Sequence, residues 1–319
     1  MLQSLAFVFP GQGSQSMGML SELATLHAPI RESFDEASEG CGVDLWSLSK
    51  HGPEEQLNQT EFTQPALLAA SVGVWRAWIG AGGAQPARFA GHSLGEYAAL
   101  VAARSLSLAD AARLVRERGR LMQAAVPAGS GAMAAVLGAE DALVAEVCEL
   151  VSGDEVVVPA NYNSPGQVVI GGHAAALDRA LAELTARGVR KVVRLAVSVP
   201  SHTPLMHDAA QRLAAVMAGM PFRMPDRQVV QNADAEIAPS VDAIRDALVR
   251  QLYLPVRWSE CVHKLAALGS THIFECGPGK VLAGLAKRID KSLDARAIGT
   301  PAEFDAALAE FANPEQSRE

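Results

Sequence analysis

The sequence contains few cysteines, and they are widely separated. The four cysteines of the 319 residues are Cys41, Cys148, Cys261 and Cys276, and no two of them form a C-x-x-C pair. A disulfide framework or a cysteine zinc site needs closely patterned cysteines. We therefore expect four reduced, buried thiols, no metal site and a cytoplasmic location.

Positive charge is also scarce. The chain has 27 Lys and Arg against 35 Asp and Glu, a formal net charge of -8. Proteins that bind nucleic acid are usually basic, so the balance argues against such a partner. The segment Met1–Leu5 lacks the Lys or Arg of a signal peptide. No apolar run reaches the ~18 residues that a membrane span needs. We expect a monomer that binds neither nucleic acid nor membrane.

Apolar residues are plentiful and set the size of the core. Hydrophobic residues make up 49% of the chain and charged residues 19%. Such a composition buries a sizeable core and argues against disorder. The length allows one large domain or two modest ones.

The segment around Gly91-His92-Ser93-Leu94-Gly95 is the most informative motif. A short strand, 88–90, precedes it and a helical segment, 97–103, follows it. G-x-S-x-G between a strand and a helix is the nucleophile-elbow pattern, in which a serine occupies a strained turn. The helix N-terminus would favour negative charge developing beside Ser93. The alternative is an ordinary strand-to-helix turn.

A similar strand, turn and helix opens the chain. Leu5–Phe9 predicts a buried strand, Gly11-Gln12-Gly13 a turn, and 17–26 a helix. The turn is either structural or a backbone cradle for an oxyanion. It is not a dinucleotide fingerprint, because the third glycine, Gly18, comes too late. Together with an apolar helix predicted over 64–79, these elements indicate an α/β fold with helices on both faces of a parallel sheet.

One arginine lies on the wrong face of a predicted helix. Ser107 caps a helix over 108–126, and Arg118 falls within its apolar stripe. A buried unpaired charge is costly, so Arg118 needs a partner. The sequence leaves three readings open: an internal Asp or Glu, a side chain that snorkels to solvent, or a substrate carboxylate held by the guanidinium fork.

The composition changes after Pro127. Successive segments over 131–195 predict strand, helix, strand, strand, helix and strand, the ferredoxin-like βαββαβ order. Within them, 161–166 is predicted to be a polar turn. We expect an inserted ferredoxin-like subdomain over 127–197. It interrupts a hydrolase-like catalytic domain formed by 1–126 and 198–319.

His202 precedes a helix predicted over 204–217, a position from which a side chain can reach into a cleft. A lone histidine is more often structural, but a serine nucleophile needs a base. No acid between Ser93 and His202 ends a strand of the large domain. The residues therefore suggest a Ser-His pair whose imidazole is oriented by a carbonyl group.

The motifs together resemble the malonyl-CoA:acyl carrier protein transacylases of bacterial fatty acid synthesis. The resemblance covers nearly the whole chain, and its motifs occur in the family's order. The matching stretches are Phe9-Pro10-Gly11-Gln12-Gly13-Ser14-Gln15, Gly91-His92-Ser93-Leu94-Gly95-Glu96-Tyr97, Arg118-Gly119, Gly131-Ala132-Met133, Asn163-Ser164-Pro165-Gly166-Gln167, Val199-Pro200-Ser201-His202, Arg250-Gln251-Leu252-Tyr253 and Gly277-Pro278-Gly279-Lys280.

The resemblance implies a role for each site residue. It makes Ser93 the nucleophile that takes the malonyl group from malonyl-CoA and passes it to the phosphopantetheine thiol of acyl carrier protein, in a ping-pong cycle without a cofactor. The other implied roles are base for His202, carbonyl partner of the base for Gln251, backbone oxyanion hole for Gln12 and Leu94, malonyl carboxylate partner for Arg118, and pocket lining for His92 and Asn163.

The acyl carrier proteins that serve this family are acidic, and this chain is acidic as well. Docking of a carrier therefore needs a local basic patch. Arg190 and Lys191 are the candidates. Three other functions stay open: a thioesterase or lipase with the same elbow, a transferase for another acyl group such as methylmalonyl or for a polyketide carrier, and a non-catalytic binding protein.

Overall fold

A computed structural model describes residues 1–197 and 199–312. Ser198, the first residue assigned to the second part of the large domain, lies outside the described residues. So do residues 313–319 at the C-terminus. Within the described ranges, no helix combines the length and hydropathy needed to cross a membrane.

The larger sheet has five parallel strands in the order β7-β2-β1-β8-β9. The strands are β1 (Leu2–Phe9), β2 (Pro86–Gly91), β7 (Gln228–Val230), β8 (His272–Glu275) and β9 (Asp294–Ala297). The predicted parallel α/β sheet is confirmed. The sequence did not predict β7 and β9, which are only three and four residues long and lie at the two edges.

Helices cover both faces of this sheet. They are α1 (Ser21–Leu26), α2 (Ala28–Cys41), α3 (Leu45–His51), α4 (Glu54–Leu57), α5 (Thr60–Gly80), α6 (Gly95–Ala102), α7 (Leu108–Ala124), α10 (His207–Ala218), α11 (Val241–Tyr253), α12 (Trp258–Ala267), α13 (Val281–Ile289) and α14 (Pro301–Phe311), with a 3₁₀ turn at Pro204–Met206. Alternate residues of β1 enter two separate cores, Phe7 on one face and Val8 on the other. This is the period-two burial of a strand covered on both sides.

The smaller sheet is antiparallel, in the order β4-β5-β3-β6. Its elements are β3 (Gly131–Leu137), α8 (Asp141–Val151), β4 (Val157–Ser164), β5 (Gln167–His173), α9 (Ala174–Ala186) and β6 (Lys191–Arg194). The predicted βαββαβ order is therefore present. Its helices and strands bury an apolar core distinct from those of the larger sheet.

The polar turn predicted over 161–166 is wrong. Strand β4 continues to Ser164, and its residues 161, 162 and 164 pair with β5 across two register irregularities. The polar segment forms a strand because the antiparallel partner supplies its backbone hydrogen bonds. Only Pro165 and Gly166 form the turn, and Gly166 adopts φ 71°.

Candidate active site

The elbow places Ser93 between β2 and α6 in a strained conformation. Ser93 has φ 52°, in the left-handed region. A Cβ at Gly91 would lie 1.9 Å from the carbonyl carbon of Gly95, and a Cβ at Gly95 would lie 2.0 Å from the Phe9 oxygen. The two glycines are therefore required for the close passage of strand and helix.

His202 contacts the serine hydroxyl. Its Nε2 lies 2.8 Å from Ser93 Oγ, and its Nδ1 lies 2.6 Å from the backbone oxygen of Gln251. A carbonyl only accepts, so Nδ1 carries the proton and Nε2 is free to accept from the hydroxyl. Burial lowers the pKa of His202 to about 3, and the nearby Arg118 charge adds to this effect. The imidazole is therefore neutral at physiological pH.

Arg118 is buried beside the pair, with 1% of its surface exposed. One guanidinium nitrogen donates to Gln64 Oε1 at 2.8 Å, and the other donates to Gln251 Oε1 at 2.9 Å and to Ser93 Oγ at 3.2 Å. Within the described chain no carboxylate contacts it directly, although the buried Glu96 attracts its charge through space. The snorkelling reading is therefore wrong, and no internal acid forms a direct ion pair with Arg118. Burial lowers the pKa of this guanidinium.

His92 joins the elbow to the smaller sheet. Its Nε2 lies 2.9 Å from Asn163 Oδ1 on β4, and its ring packs beside Trp258. Burial lowers the pKa of His92. Because an amide oxygen only accepts, the contact with Asn163 requires the proton on Nε2.

These side chains surround a cavity of about 410 Å³. The predicted residues that line it are Gln12, His92, Ser93, Leu94, Arg118, Asn163 and His202. The apolar part of its wall includes Met122, Met133, Val169 and Leu195. The backbone N–H groups of Gln12 and Leu94 donate to no protein acceptor in the described ranges, so both are available to a ligand.

The other predicted residues lie behind or outside the cavity. Gln251, on α11, is fully buried behind Ser93 and His202. Arg190 and Lys191 are exposed at the start of β6. The end of that strand leads to Leu195, which lines the cavity. In the parts of the chain that the structure describes, no group of His, Cys, Asp and Glu could hold a metal ion.

Sequence reasoning missed three polar residues of the site. Gln64 holds Arg118, while Glu96 and Asn232 contact the elbow from behind. Of these three residues, only Glu96 had a signal in the sequence, because it directly follows the G-x-S-x-G motif. Burial raises its pKa to about 7.

The parallel sheet, the elbow serine and its histidine define an acyl-transferring enzyme of the α/β class. In agreement, residues 6–299 match the family model described as acyl transferase domain. A crystal structure of malonyl-CoA:acyl carrier protein transacylase from Xanthomonas oryzae is 66% identical, with a TM-score of 0.97 over 98% of this chain and 100% of that one.

Curated sequences give the same result. The malonyl CoA-acyl carrier protein transacylase of Salmonella typhimurium is 53% identical over 96% of this chain and 99% of its own. The transacylase of Bacillus subtilis is 41% identical over 96% of this chain and 97% of its own. A malonyl-transacylase solved in complex with a type II polyketide acyl carrier protein is 50% identical, with a TM-score of 0.95 over 96% and 99%. The chain belongs to the malonyl CoA-acyl carrier protein transacylase family.

Proposed function

We propose that this enzyme transfers a malonyl group from malonyl-CoA to the phosphopantetheine thiol of acyl carrier protein, through an ester on Ser93. The observation that carries the proposal is a buried arginine that no carboxylate of residues 1–197 and 199–312 contacts, 3.2 Å from the hydroxyl of an elbow serine. The names of its relatives agree. The product supplies fatty acid synthesis.

The first half-reaction forms the ester. Ser93 Oγ attacks the thioester carbonyl as its proton passes to His202 Nε2, and the Gln251 carbonyl stabilises the imidazolium through Nδ1–H. The N–H groups of Gln12 and Leu94 bind the oxyanion. The intermediate collapses with cleavage of the carbon–sulfur bond, and the leaving sulfur of coenzyme A takes the proton from His202.

The second half-reaction reverses these steps with a new thiol. His202 accepts the proton of the carrier's phosphopantetheine thiol, whose sulfur attacks the ester carbonyl. Cleavage of the ester bond returns the proton to Ser93 Oγ, and the malonyl group leaves as a thioester of the carrier. Two thioesters of similar energy are exchanged, so no cofactor is required.

Arg118 selects the acyl group by charge. Its partners Gln64 and Gln251 offer neutral amide oxygens, which orient the guanidinium without placing a carboxylate against it. A malonyl carboxylate supplies the missing anion. A lipase or thioesterase that acts on neutral acyl groups does not need a buried positive charge beside its serine. A protein that only binds its ligand does not need the contact between Ser93 and His202.

We assign the smaller sheet and its helices to an inserted subdomain over 127–197, which has its own apolar core. The four cysteines are free and buried, as in proteins of a reducing compartment, which supports the cytoplasm. We expect a monomer.

Mass spectrometry tests the proposed function. After brief exposure to malonyl-CoA, the protein should gain the mass of one malonyl group on the peptide that contains Ser93. Addition of phosphopantetheinylated carrier protein should remove that mass and place it on the carrier. A protein that hydrolyses the ester but never acylates the carrier would be a thioesterase, and one that gains no mass would contradict acyl transfer.

Carrier docking gives a separate prediction. We propose that Arg190 and Lys191, exposed at the start of β6, whose end leads to the cavity wall, attract the acidic carrier. The double variant Arg190→Glu, Lys191→Glu should raise the carrier KM roughly tenfold and weaken its salt dependence, because two rim charges are reversed. Hydrolysis of malonyl-CoA should be unchanged.

A matched double reversal uses Arg104 and Arg223, which lie beyond the far end of α6, the helix that starts at the elbow. Arg104→Glu, Arg223→Glu makes the same change in net charge and should leave the carrier KM as it is. Equal effects from the two double variants would show that docking responds to total charge and does not use this strand.

A further inference from the structure

Two side chains hold the peptide groups of the elbow. Asn232, just after β7, accepts from Ser93 N at 2.7 Å with Oδ1 and donates to the Gly91 oxygen at 2.7 Å with Nδ2. Gln251 Nε2 donates to the Ser93 oxygen at 3.0 Å. A strained backbone persists only where its surroundings determine it, and here those surroundings are Asn232 and Gln251.

Glu96 connects these two residues. Its Oε2 accepts from Asn232 N at 2.8 Å and from Gln251 Nε2 at 2.9 Å. The side chain is fully buried, and the groups that face its oxygens are N–H donors. A carboxylate, which only accepts, matches that environment, whereas an amide or a protonated acid would turn a donor toward donors.

Glu96, the Ser93 carbonyl and Arg118 together set the orientation of the Gln251 amide. Nε2 faces the carboxylate, so Oε1 is turned toward Arg118. A flipped amide would present its NH₂ group to the guanidinium, which has no acceptor. Glu96 and Arg118 therefore lie on opposite sides of one amide, which separates the buried negative charge from the buried positive one.

We propose that Glu96 is a positioning residue for acyl transfer. Through Asn232 it stabilises the strained turn of Ser93, and through Gln251 it orients the acceptor that holds Arg118. The same residue, Gln251, carries the carbonyl that binds His202. This inference rests on the proposed function, because it assigns Glu96 to the same reaction.

Glu96→Gln is the direct test. The new amide is neutral, so its oxygen holds Asn232 N and Gln251 Nε2 by weaker hydrogen bonds, and its NH₂ group faces the donor Gln231 Nε2. The Gln251 amide is therefore held less firmly. We expect kcat with malonyl-CoA to fall roughly 10- to 100-fold with a smaller change in KM, because the reacting groups are misplaced. The ratio of malonyl to acetyl kcat/KM should also fall, since the Gln251 oxygen that orients Arg118 is held less firmly. That ratio is independent of the fraction of protein that is folded.

The pH profile gives a second readout. Burial raises the pKa of Glu96 to about 7, against the hydrogen bonds from Asn232 and Gln251. The other titratable groups around it are Tyr97, Arg118, Asp234 and Cys261. Activity should be full above this pKa and fall as pH drops through it, because protonation removes the negative charge that strengthens the hydrogen bonds from Asn232 and Gln251 and turns an O–H toward Gln231 Nε2. His202, with its pKa lowered to about 3, is already neutral there.

In Glu96→Gln the fall in activity below pH 7, the acid limb of the pH profile, should disappear. The variant should be equally slow on both sides of pH 7. The control is Glu275→Gln, the same change at another buried acid of similar pKa, raised by burial to about 7. Glu275 accepts from Ala283 N and caps α13. This variant should lower Tm but keep both the acid limb near pH 7 and the malonyl-to-acetyl ratio.

A further variant covers the case in which Glu96→Gln does not fold. Asn232→Ala removes the bonds to the elbow and leaves the contact of Glu96 with Gln251, so kcat should fall while the malonyl-to-acetyl ratio is kept. Two results together would show that Glu96 has only a structural role. The wild type would form the ester without a fall in activity near pH 7, and Glu96→Gln would keep the wild-type ratio of malonyl to acetyl kcat/KM. Failure of the wild type to form any ester would instead overturn the proposed function.

Discussion

Ser93→Ala should stay folded and lose the covalent intermediate completely. The bonds that maintain the elbow go to the backbone of residue 93, and its hydroxyl contributes to none of them. Without the nucleophile, we expect malonyl transfer to fall roughly 10⁵–10⁶-fold. The measurements are the mass of the protein after exposure to malonyl-CoA and the rate of carrier acylation.

Another serine of the cavity wall provides the control for this change. Ser14→Ala removes a hydroxyl from the same cavity and should still form the ester. Labelling that persists in Ser93→Ala would remove the elbow serine from the mechanism. Loss of labelling in both variants, with Tm unchanged, would indicate failure to bind malonyl-CoA.

Arg118→Ala should change which acyl group the enzyme accepts. Removing one partner of a buried charged pair costs about 3–5 kcal/mol, so malonyl kcat/KM should fall several hundredfold or more. Activity with acetyl-CoA should rise relative to malonyl-CoA, because a neutral acyl group no longer leaves a buried guanidinium without an anion. The measurement is kcat/KM for both substrates.

Two further substitutions sharpen this test. Arg118→Lys should restore only part of the preference, since a point charge cannot replace the planar fork. Arg116→Ala, two residues away on α7, removes an arginine that is paired with Glu61 at 2.8 Å and should leave the ratio unchanged. An unchanged ratio in Arg118→Ala would make Arg118 a structural arginine.

Most of the fold could be predicted from the sequence because its signals are local. Glycines at fixed spacing mark the elbow, and segments of distinct periodicity mark the βαββαβ unit. The edge strands β7 and β9 gave no such signal, because runs of three or four residues form strands only when a neighbour pairs with them. The same dependence on a partner explains the wrong turn at 161–166.

The site could be predicted only in part. Arg118 was conspicuous because a charge on an apolar face violates a local pattern. The pairing of Ser93 with His202 was suggested by chemistry, although 109 positions separate them. Gln64, Glu96 and Asn232 violate no pattern. Their importance comes from the donors and acceptors that the fold brings to them, which no spacing in the sequence encodes.

Main-chain hydrogen bonds between the smaller sheet and the larger domain confine the space in which the two substrates bind. Tyr162 N donates to the Val256 oxygen, and Val256 N donates to the Ala160 oxygen, so the edge of β4 is bonded to the segment between α11 and α12. The cavity wall is therefore tied by main-chain bonds on both sides of Asn161. Coenzyme A and the carrier's phosphopantetheine arm must occupy the same confined space in turn. Released coenzyme A should therefore inhibit competitively against the carrier, and malonylated carrier should inhibit competitively against malonyl-CoA.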